Sequence, residues 1–235
     1  MKTKLIIGLI VMPLWLKAQH YNHTTFWGKI IANTPLSTQW DFQFEYVHRS
    51  QNDYHISKWN PLSKESLEEI RGWFYFKKNN LTVQFNPLTY IHSKILLGKE
   101  ADYLLKPNIE WRSTMGLVVK QIVSKWVFQE RVQYDYRWIK ILNYRPTGRV
   151  RLRGTIQYAL TGKTKLQCYE EVFLNAPPHK LKNDFDQNWA LIGVVHQLTP
   201  RLAFDIGYMR NHRKRPNGTE YDEENAISLG LNLRL

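Results

Sequence analysis

The C-terminal residues 226–235 alternate strictly between apolar and polar side chains. Because successive side chains of a β-strand point to opposite faces, this pattern predicts a strand with one apolar and one polar face. The apolar face would carry Ile227, Leu229, Leu231, Leu233 and Leu235, and the polar face Ser228, Gly230, Asn232 and Arg234. A strand of this kind at the end of a chain, with its apolar side outward, is typical of the closing strand of a transmembrane β-barrel.

The N-terminus has the pattern of a secretory signal peptide. Lysines precede an apolar run at residues 5–16, and the small residue Ala18 follows it. We therefore predict a signal peptide at residues 1–18 and one outer-membrane β-barrel domain at residues 19–235. The apolar run is shorter than the roughly 20 residues of a membrane-spanning helix. Cys168 is the only cysteine, so we expect neither lipid attachment nor an intramolecular disulfide.

The chain is basic, with a formal net charge of +13. In a cytosolic protein this charge, together with many aromatic residues, would point to nucleic acid. Export argues against nucleic acid, and an anionic lipid surface is a simpler partner for the positive charge. We expect contact with outer-membrane lipids, lipopolysaccharide among them, while much of the charge is ordinary solvated surface. Protein partners and the oligomeric state do not follow from the sequence.

Period-two alternation recurs along the predicted mature chain and indicates strands rather than helices. The pattern predicts an all-β fold, a transmembrane antiparallel β-barrel of about 12 strands with short periplasmic turns, because bacterial barrels have even strand numbers. The predicted strands are 24–33, 38–48, 66–77, 81–91, 103–112, 115–124, 126–138, 149–160, 165–175, 184–198, 201–211 and 226–235.

A soluble β-sandwich would also contain alternating strands and is the alternative fold. Tryptophans near predicted strand ends favour the barrel, because aromatic girdles mark the two membrane interfaces. These residues are Trp27, Trp73, Trp111, Trp126, Trp138 and Trp189. The loop lengths fit the barrel less well. If the N-terminus is periplasmic, the long segment 49–64 lies on the periplasmic side, where the turns of such barrels are short. Either one strand is miscounted near the start, or segment 49–64 folds against the periplasmic mouth.

Several short motifs occur in a fixed order along the chain. They are QER at 129–131, YDYR at 134–137, YEEVFLN at 169–175, FDQN at 185–188 and IGYM at 206–209. This set resembles the Bacteroidota family called domain of unknown function 2490. The resemblance implies an outer-membrane β-barrel and supplies no catalytic residue. Trp189 stands where the resemblance leads us to expect an arginine.

The predicted strand registers place many charged residues on the inner, lumen-lining face. They are Arg131, Asp135, Arg137, Arg149, Arg151, Arg153, Glu171, Asp186 and Asp205, with the amides Asn175 and Asn188. Buried charges persist mainly when they are paired, so one interpretation is a salt-bridged, largely filled lumen. The other is a basic pore for anions, in which Arg149, Arg151 and Arg153 select the solute. Glu130 and Glu170 fall on the lipid face, where we expect a bulge or an interfacial position.

The sequence contains weak candidates for catalysis and for metal binding. His48, Ser50 and Asn52 would share one face of a strand, but no nucleophile elbow or other catalytic signature flanks them. We therefore expect no catalytic residue and no enzyme. His20 and His23 alone are too few for a metal site, so neither a metal nor another cofactor is expected.

Segment 211–225 is predicted to be an outer loop with oppositely charged arms. Its basic arm carries Arg213, Lys214 and Arg215, and its acidic arm carries Glu220, Asp222 and Glu223. The arms would pair with each other, or the basic arm would bind lipopolysaccharide phosphates. The sequence as a whole predicts a non-enzymatic outer-membrane protein of a Gram-negative bacterium, with a structural or binding role and a largely filled lumen. A narrow anion-preferring pore for small solutes and a lipid-modifying enzyme are the alternatives.

Overall fold

The computed structural model describes residues 19–178 and 184–235, where eleven strands form one closed barrel. The predicted signal peptide lies outside the described residues. The strands are β1 (Gln19–Pro35), β2 (Trp40–Gln51), β3 (Lys64–Lys78), β4 (Leu81–Ser93), β5 (Asn108–Val123), β6 (Trp126–Ile139), β7 (Pro146–Ala159), β8 (Thr164–Ala176), β9 (Phe185–Thr199), β10 (Leu202–Lys214) and β11 (Glu220–Arg234). Two short 3-10 helices, Glu100–Leu104 and Lys140–Leu142, lie in loops. Within the described ranges we find no helix with the length and apolarity to cross a bilayer.

Each strand pairs antiparallel with its neighbour in sequence, and the barrel closes by parallel pairing of β1 with β11. Parallel closure is required because the first and last strands of an odd-numbered barrel run in the same direction. The predicted even number was wrong, because predicted strands 103–112 and 115–124 are largely one strand, β5. Inward-facing Glu110, Arg112 and Thr114 continue one alternation through the supposed break.

The odd strand count explains the loop lengths. The connections 36–39, 79–80, 124–125, 160–163 and 200–201 lie at one end of the barrel, which we call the short-turn end. The long loops 52–63 and 94–107 lie at the opposite end, the long-loop end, together with Gln19 at the start of β1. One strand was therefore miscounted, but it lay in the middle of the chain and not near its start as predicted.

The outer wall of the barrel is apolar and the interior is polar. Outward positions include Phe44, Leu117, Val132, Leu152 and Leu229, whose side chains are all exposed. This distribution gives the outer wall the apolar band that a lipid-facing barrel requires.

The predicted aromatic girdle was only partly right. Trp111 and Trp126 are exposed on the outer wall, and Trp138 lies opposite Trp111 in the β5–β6 pairing. Trp27 and Trp73 are buried in the interior instead, and Trp189 packs against Trp27 there. Proximity to a strand end does not determine which face a residue occupies; the two-residue alternation determines the face.

Glu130 and Glu170 lie exposed on the outer wall, on either side of Gly154. The predicted bulge at these residues was wrong, because β7 pairs with both β6 and β8 without a shift in register. Asn188, predicted to face the lumen, instead lies beside this outer position, and its amide donates a hydrogen bond to Glu170 at 2.8 Å. Its inward assignment was therefore also wrong.

Candidate functional site

The interior of the barrel is the candidate functional site, and strand β7 shows how the sequence builds it. Val150 and Leu152 face outward, so Arg149, Arg151 and Arg153 must face inward. Arg149 and Arg151 keep no more than 5% of their surface exposed. Three consecutive inward positions thus bring three guanidinium groups into a narrow lumen, where each needs a partner.

Glu171 on β8 is the shared partner of three arginines. Its Oε1 accepts hydrogen bonds from Arg131 Nη2 at 2.7 Å and from Arg151 Nε at 2.8 Å. Its Oε2 accepts one from Arg153 Nε at 2.8 Å. The Glu171 side chain is fully buried, so one carboxylate compensates three adjacent cations away from solvent.

A second group of ion pairs lies nearer the long-loop end. Arg149 donates to Asp135 Oδ2 at 2.8 Å and to Asp186 Oδ2 at 3.0 Å. Arg137 binds Glu110 through two hydrogen bonds, each of 2.8 Å. Two-point pairs of this kind are the strongest and most directional hydrogen bonds between charged side chains. They join β5, β6, β7 and β9 on the inner face of the barrel.

A third group, on β2 and β3, was not singled out in the sequence. Arg71 contacts Glu45 at 2.6 Å and Glu69 at 2.8 Å. Arg112 lies 3.8 Å from Glu69 and 2.6 Å from Glu110, so it connects this group to the second one. The inward alternation of β2 could have identified Glu45, whereas register shifts in β3 and β4 obscure the others.

Aromatic rings also cover arginines of the interior, both Arg151 and Arg49, which has no carboxylate partner in the groups described above. The guanidinium of Arg49 lies 3.3 Å from the centre of the Trp27 ring, and Trp27 meets Trp189 edge to face at 5.0 Å. Phe173 packs on Trp189 at 4.6 Å, and Arg151 lies 4.8 Å from the Phe173 ring centre. Stacking on a ring face stabilises a cation that has left water. Trp189 stands where the family resemblance suggested an arginine. Its ring therefore lies next to arginine side chains instead of supplying a guanidinium group itself.

We call the arginines and carboxylates of these contacts the central network. Its arginines are Arg49, Arg71, Arg112, Arg131, Arg137, Arg149, Arg151 and Arg153, and its carboxylates are Glu45, Glu69, Glu110, Asp135, Glu171 and Asp186. Eight arginines face six carboxylates, so this set keeps two surplus positive charges. Asp205 lies apart from the set and pairs with Lys29 at 3.1 Å.

The loop between β4 and β5, residues 94–107, folds over the long-loop end of the barrel. Its backbone at Ile95 and Leu97 bonds to the side-chain amide of Gln51 at 3.0 and 2.9 Å. Leu96 and Leu97 are buried. Asp102, also buried, receives the Arg215 guanidinium at 3.0 Å. The loop is thus fastened both to β2 and to the β10–β11 turn.

A hydrogen bond between two loops reinforces this closure. The Tyr103 hydroxyl donates to the carboxylate of Asp53, which lowers the pKa of Asp53. Burial, with this carboxylate, raises the pKa of Tyr103. The Asp53 carboxylate therefore stays ionised below its ordinary pH range and holds loop 94–107 against loop 52–63.

Segment 211–225 is mostly strand, because its two arms pair and extend β10 and β11, and only residues 215–219 connect them. Arg213 and Lys214 end β10, and Glu220, Asp222 and Glu223 belong to β11. Only Arg215 lies in the turn, and it is buried between Asp102 and Asp222, 2.7 Å from the latter. The two arms do contact each other, because Arg213 lies 3.2 Å from Glu224. The burial of Arg215 could not be read from the charges of the hairpin.

The weak catalytic and metal candidates do not contact one another as the sequence suggested. His48 lies 3.6 Å from Glu68, while the Asn52 side chain accepts a hydrogen bond from the backbone of Thr24 at 2.9 Å. Ser50 is buried. His23 faces the interior and contacts Asp222 at 3.0 Å, whereas His20 lies on the other face of β1. The structure therefore brings together neither the candidate catalytic group nor His20 and His23.

Comparison with solved structures places this architecture among porins. A structure of the NanC porin aligns with 91% of this chain and 98% of its own, with a TM-score of 0.53 and 11% identity. An anion-selective porin from Comamonas acidovorans aligns with 83% of this chain and 53% of its own, with a TM-score of 0.38 and 11% identity. The chain thus has a porin-like transmembrane β-barrel fold with a buried charged network inside.

Sequence comparison gives the family. No curated protein matches the chain. The restriction to Bacteroidota stays a prediction. Residues 24–222 match the family described as a protein of unknown function, DUF2490, and the chain therefore belongs to that family, as its ordered motifs predicted.

Proposed function

We propose that this protein is a non-enzymatic outer-membrane β-barrel with a structural or binding role, and that its interior is closed to free diffusion. The observation that carries the proposal is the central network. Its ion pairs lie inside the lumen and join side chains of neighbouring and next-neighbouring strands from β2 to β9, with Glu171 holding three arginines. Moving these charges apart leaves buried ions uncompensated, which costs several kcal/mol per ion. A solute would have to break such contacts in order to pass.

The covered mouth supports the same proposal. Loop 94–107 is fastened to β2 through Gln51 and to the β10–β11 turn through Arg215. Closure at the long-loop end thus adds to the filling of the lumen. In barrels of this class the short turns face the periplasm. We therefore assign the long-loop end to the cell exterior and the wall to the outer membrane of a Gram-negative bacterium, in contact with its lipids and with lipopolysaccharide.

The proposal that the protein is not an enzyme rests on His48, which contacts Glu68, and on Ser50, whose buried hydroxyl has no hydrogen-bond partner among the described residues. A serine nucleophile requires a base within hydrogen-bond reach and a third group that orients the base. A lipid-modifying enzyme would hydrolyse or transfer acyl chains in detergent–phospholipid micelles and lose this activity in a His48→Ala variant. Turnover that depends on His48 would overturn the non-enzymatic proposal.

Single-channel recording in a planar bilayer tests the closed lumen. The protein is first shown to be folded by heat-modifiable gel mobility, so that an electrically silent bilayer has meaning. We expect no steady conductance from the wild type. Steady steps at low voltage would overturn the proposal.

A narrow anion-preferring pore is the second candidate, favoured by the two surplus positive charges of the central network. The NanC structure, which shares the barrel fold, is that of a porin. Buried amide atoms of Gln84 and Gln133, which face the interior without a protein partner among the described residues, could serve passing anions or water. This candidate predicts anion-selective steps.

Charge neutralisation distinguishes the pore from non-specific leakage. In the pore, Arg49→Gln removes a surplus charge that is stacked on Trp27, and anion preference should fall. Neutralising Arg149, Arg151 and Arg153 together should change the conductance further. Steps that both variants leave unchanged would argue against the arginines as the selective groups.

A further inference from the structure

Two histidines and a glutamate converge on the outer wall at the long-loop end, apart from the central network. They are His20 on β1, His212 on β10 and Glu223 on β11. The Nδ1 of His20 lies 3.2 Å from Glu223 Oε1, and the Nδ1 of His212 approaches the same oxygen even more closely. One ligand atom from each residue lies within 4.8 Å of the other two.

Neighbouring side chains hold the three groups in place. The Tyr221 ring stacks on both imidazoles, at centroid distances of 5.4 Å from His20 and 4.6 Å from His212. Arg210 lies 3.4 Å from the other Glu223 oxygen, Oε2, and leaves Oε1 to the histidines. Glu223 is buried although it belongs to the outer face, while both imidazoles are partly exposed. The nitrogens are therefore fixed in position and accessible from outside.

We propose that His20, His212 and Glu223 form a binding site for a divalent transition-metal ion of the Zn²⁺ class. Imidazole nitrogen and carboxylate oxygen are ligands that Zn²⁺ prefers, at metal–ligand distances of about 2.0–2.2 Å. Oxygen-only coordination, which Ca²⁺ and Mg²⁺ require, is not offered by this set. Three protein ligands leave further coordination positions open to solvent. Binding replaces the imidazole contacts with Glu223 by metal bonds, and any proton on an Nδ1 atom is released to solvent.

The position of the site indicates its consequence. The three ligands come from β10, β11 and β1, and the parallel β1–β11 pairing is where the barrel closes. An ion bound there joins the first strand to the last two. Because the ligands come together only in the closed barrel, the ion binds the folded state in preference to the unfolded one and stabilises closure.

The chain offers a matched control elsewhere on its outer wall. His92 lies 3.6 Å from Glu65, also at the long-loop end, and makes a histidine–carboxylate contact without a second imidazole. His92→Ala therefore removes an equally accessible histidine without touching the proposed ligands. If adventitious binding to surface histidines were responsible for metal uptake, His92→Ala and His212→Ala would weaken it alike.

Isothermal titration with ZnCl₂ tests the site, using folded protein purified from outer membranes through a C-terminal tag without histidine. We expect one Zn²⁺ per chain in the wild type and in His92→Ala, and an affinity on the order of 100-fold weaker in His212→Ala, since even outer-sphere changes cost 10- to 100-fold. Saturating Zn²⁺ should raise the unfolding temperature of the wild type but not that of His212→Ala.

Three results would overturn the proposal: absence of stoichiometric binding in the wild type, equal weakening by His212→Ala and His92→Ala, or a stabilisation by Zn²⁺ that His212→Ala retains. If His212→Ala does not fold, His20→Ala takes its place, because His20 lies at the start of β1. Absence of stoichiometric binding in the wild type overturns the proposal even if neither variant folds.

Discussion

Glu171 compensates three arginines at once, so Glu171→Gln tests whether the lumen is dry and ion-paired. The substitution keeps the size of the side chain and removes its charge. Arg131, Arg151 and Arg153, now within 2.7–2.8 Å of this carboxylate, would lose their shared counter-ion. Removing one partner of a buried ion pair costs about 3–5 kcal/mol, because an uncompensated charge is left behind.

The size of the effect depends on burial, which supplies a matched control. Glu65 also has a cationic partner, Lys94 at 3.2 Å, and it contacts His92 at 3.6 Å, but it is partly exposed. Exposed pairs contribute about 0–1 kcal/mol. Glu65→Gln should therefore change the free energy of unfolding by no more than about 1 kcal/mol. Adding Arg153→Met to Glu171→Gln removes one of the stranded charges and should restore part of the lost stability.

Reversible urea unfolding in phospholipid vesicles measures these differences, with tryptophan fluorescence and heat-modifiable gel mobility as independent probes. Trp27, Trp73 and Trp189 lie in the interior and report on its packing. A loss below about 1 kcal/mol for Glu171→Gln, equal to that of Glu65→Gln, would show that water screens the three arginines. That result would refute the closed, ion-paired lumen and favour a hydrated passage.

Four further substitutions test packing and loop closure. Gly148→Ala should destabilise the barrel by about 1–3 kcal/mol in the same urea assay, because the Cβ of the new alanine would collide with the Pro177 carbonyl oxygen. The control Gly154→Ala should be neutral, because a Cβ at that position meets nothing within 4 Å. Asp102→Asn should weaken the contact with Arg215 and speed proteolysis within loop 94–107; unchanged cleavage would contradict the role of this ion pair. The pKa of Asp53 is lowered in the folded state, so its stabilising contribution is present above its unfolded pKa of about 3.9 and is lost as pH falls through the lower folded value. Hydrogen exchange in loops 52–63 and 94–107 should accelerate in that acidic range, and Asp53→Asn should remove this dependence on pH.

Local alternation predicted those features that depend on a single strand. It identified the outward face of β11 and the inward arginines of β7, and the ordered motifs identified the family. Charge pattern also indicated a salt-bridged interior, because charges on an inward face need partners. Each of these inferences needs only the two-residue period of a β-strand.

Some errors arose where the local pattern was ambiguous. One predicted strand ended at residue 112 and the next began at residue 115, although both belong to β5. This division gave an even strand count instead of eleven. Trp27 and Trp189 were assigned to the aromatic girdle from their distance to strand ends, although they lie in the interior. In both cases, the face of the strand on which a residue lies predicted its environment better than its distance from a strand end did.

The sequence by itself determined that the chain forms amphipathic strands, which of its faces are apolar, and which family it belongs to. Only the tertiary structure decided how the barrel closes, which carboxylate meets which arginine, and how loop 94–107 covers one mouth. The physical reason is separation along the chain: alternation is a property of neighbouring residues, whereas His20 and Glu223 are 203 positions apart. Closure of the barrel, through the register between its first and last strands, brings such distant residues together.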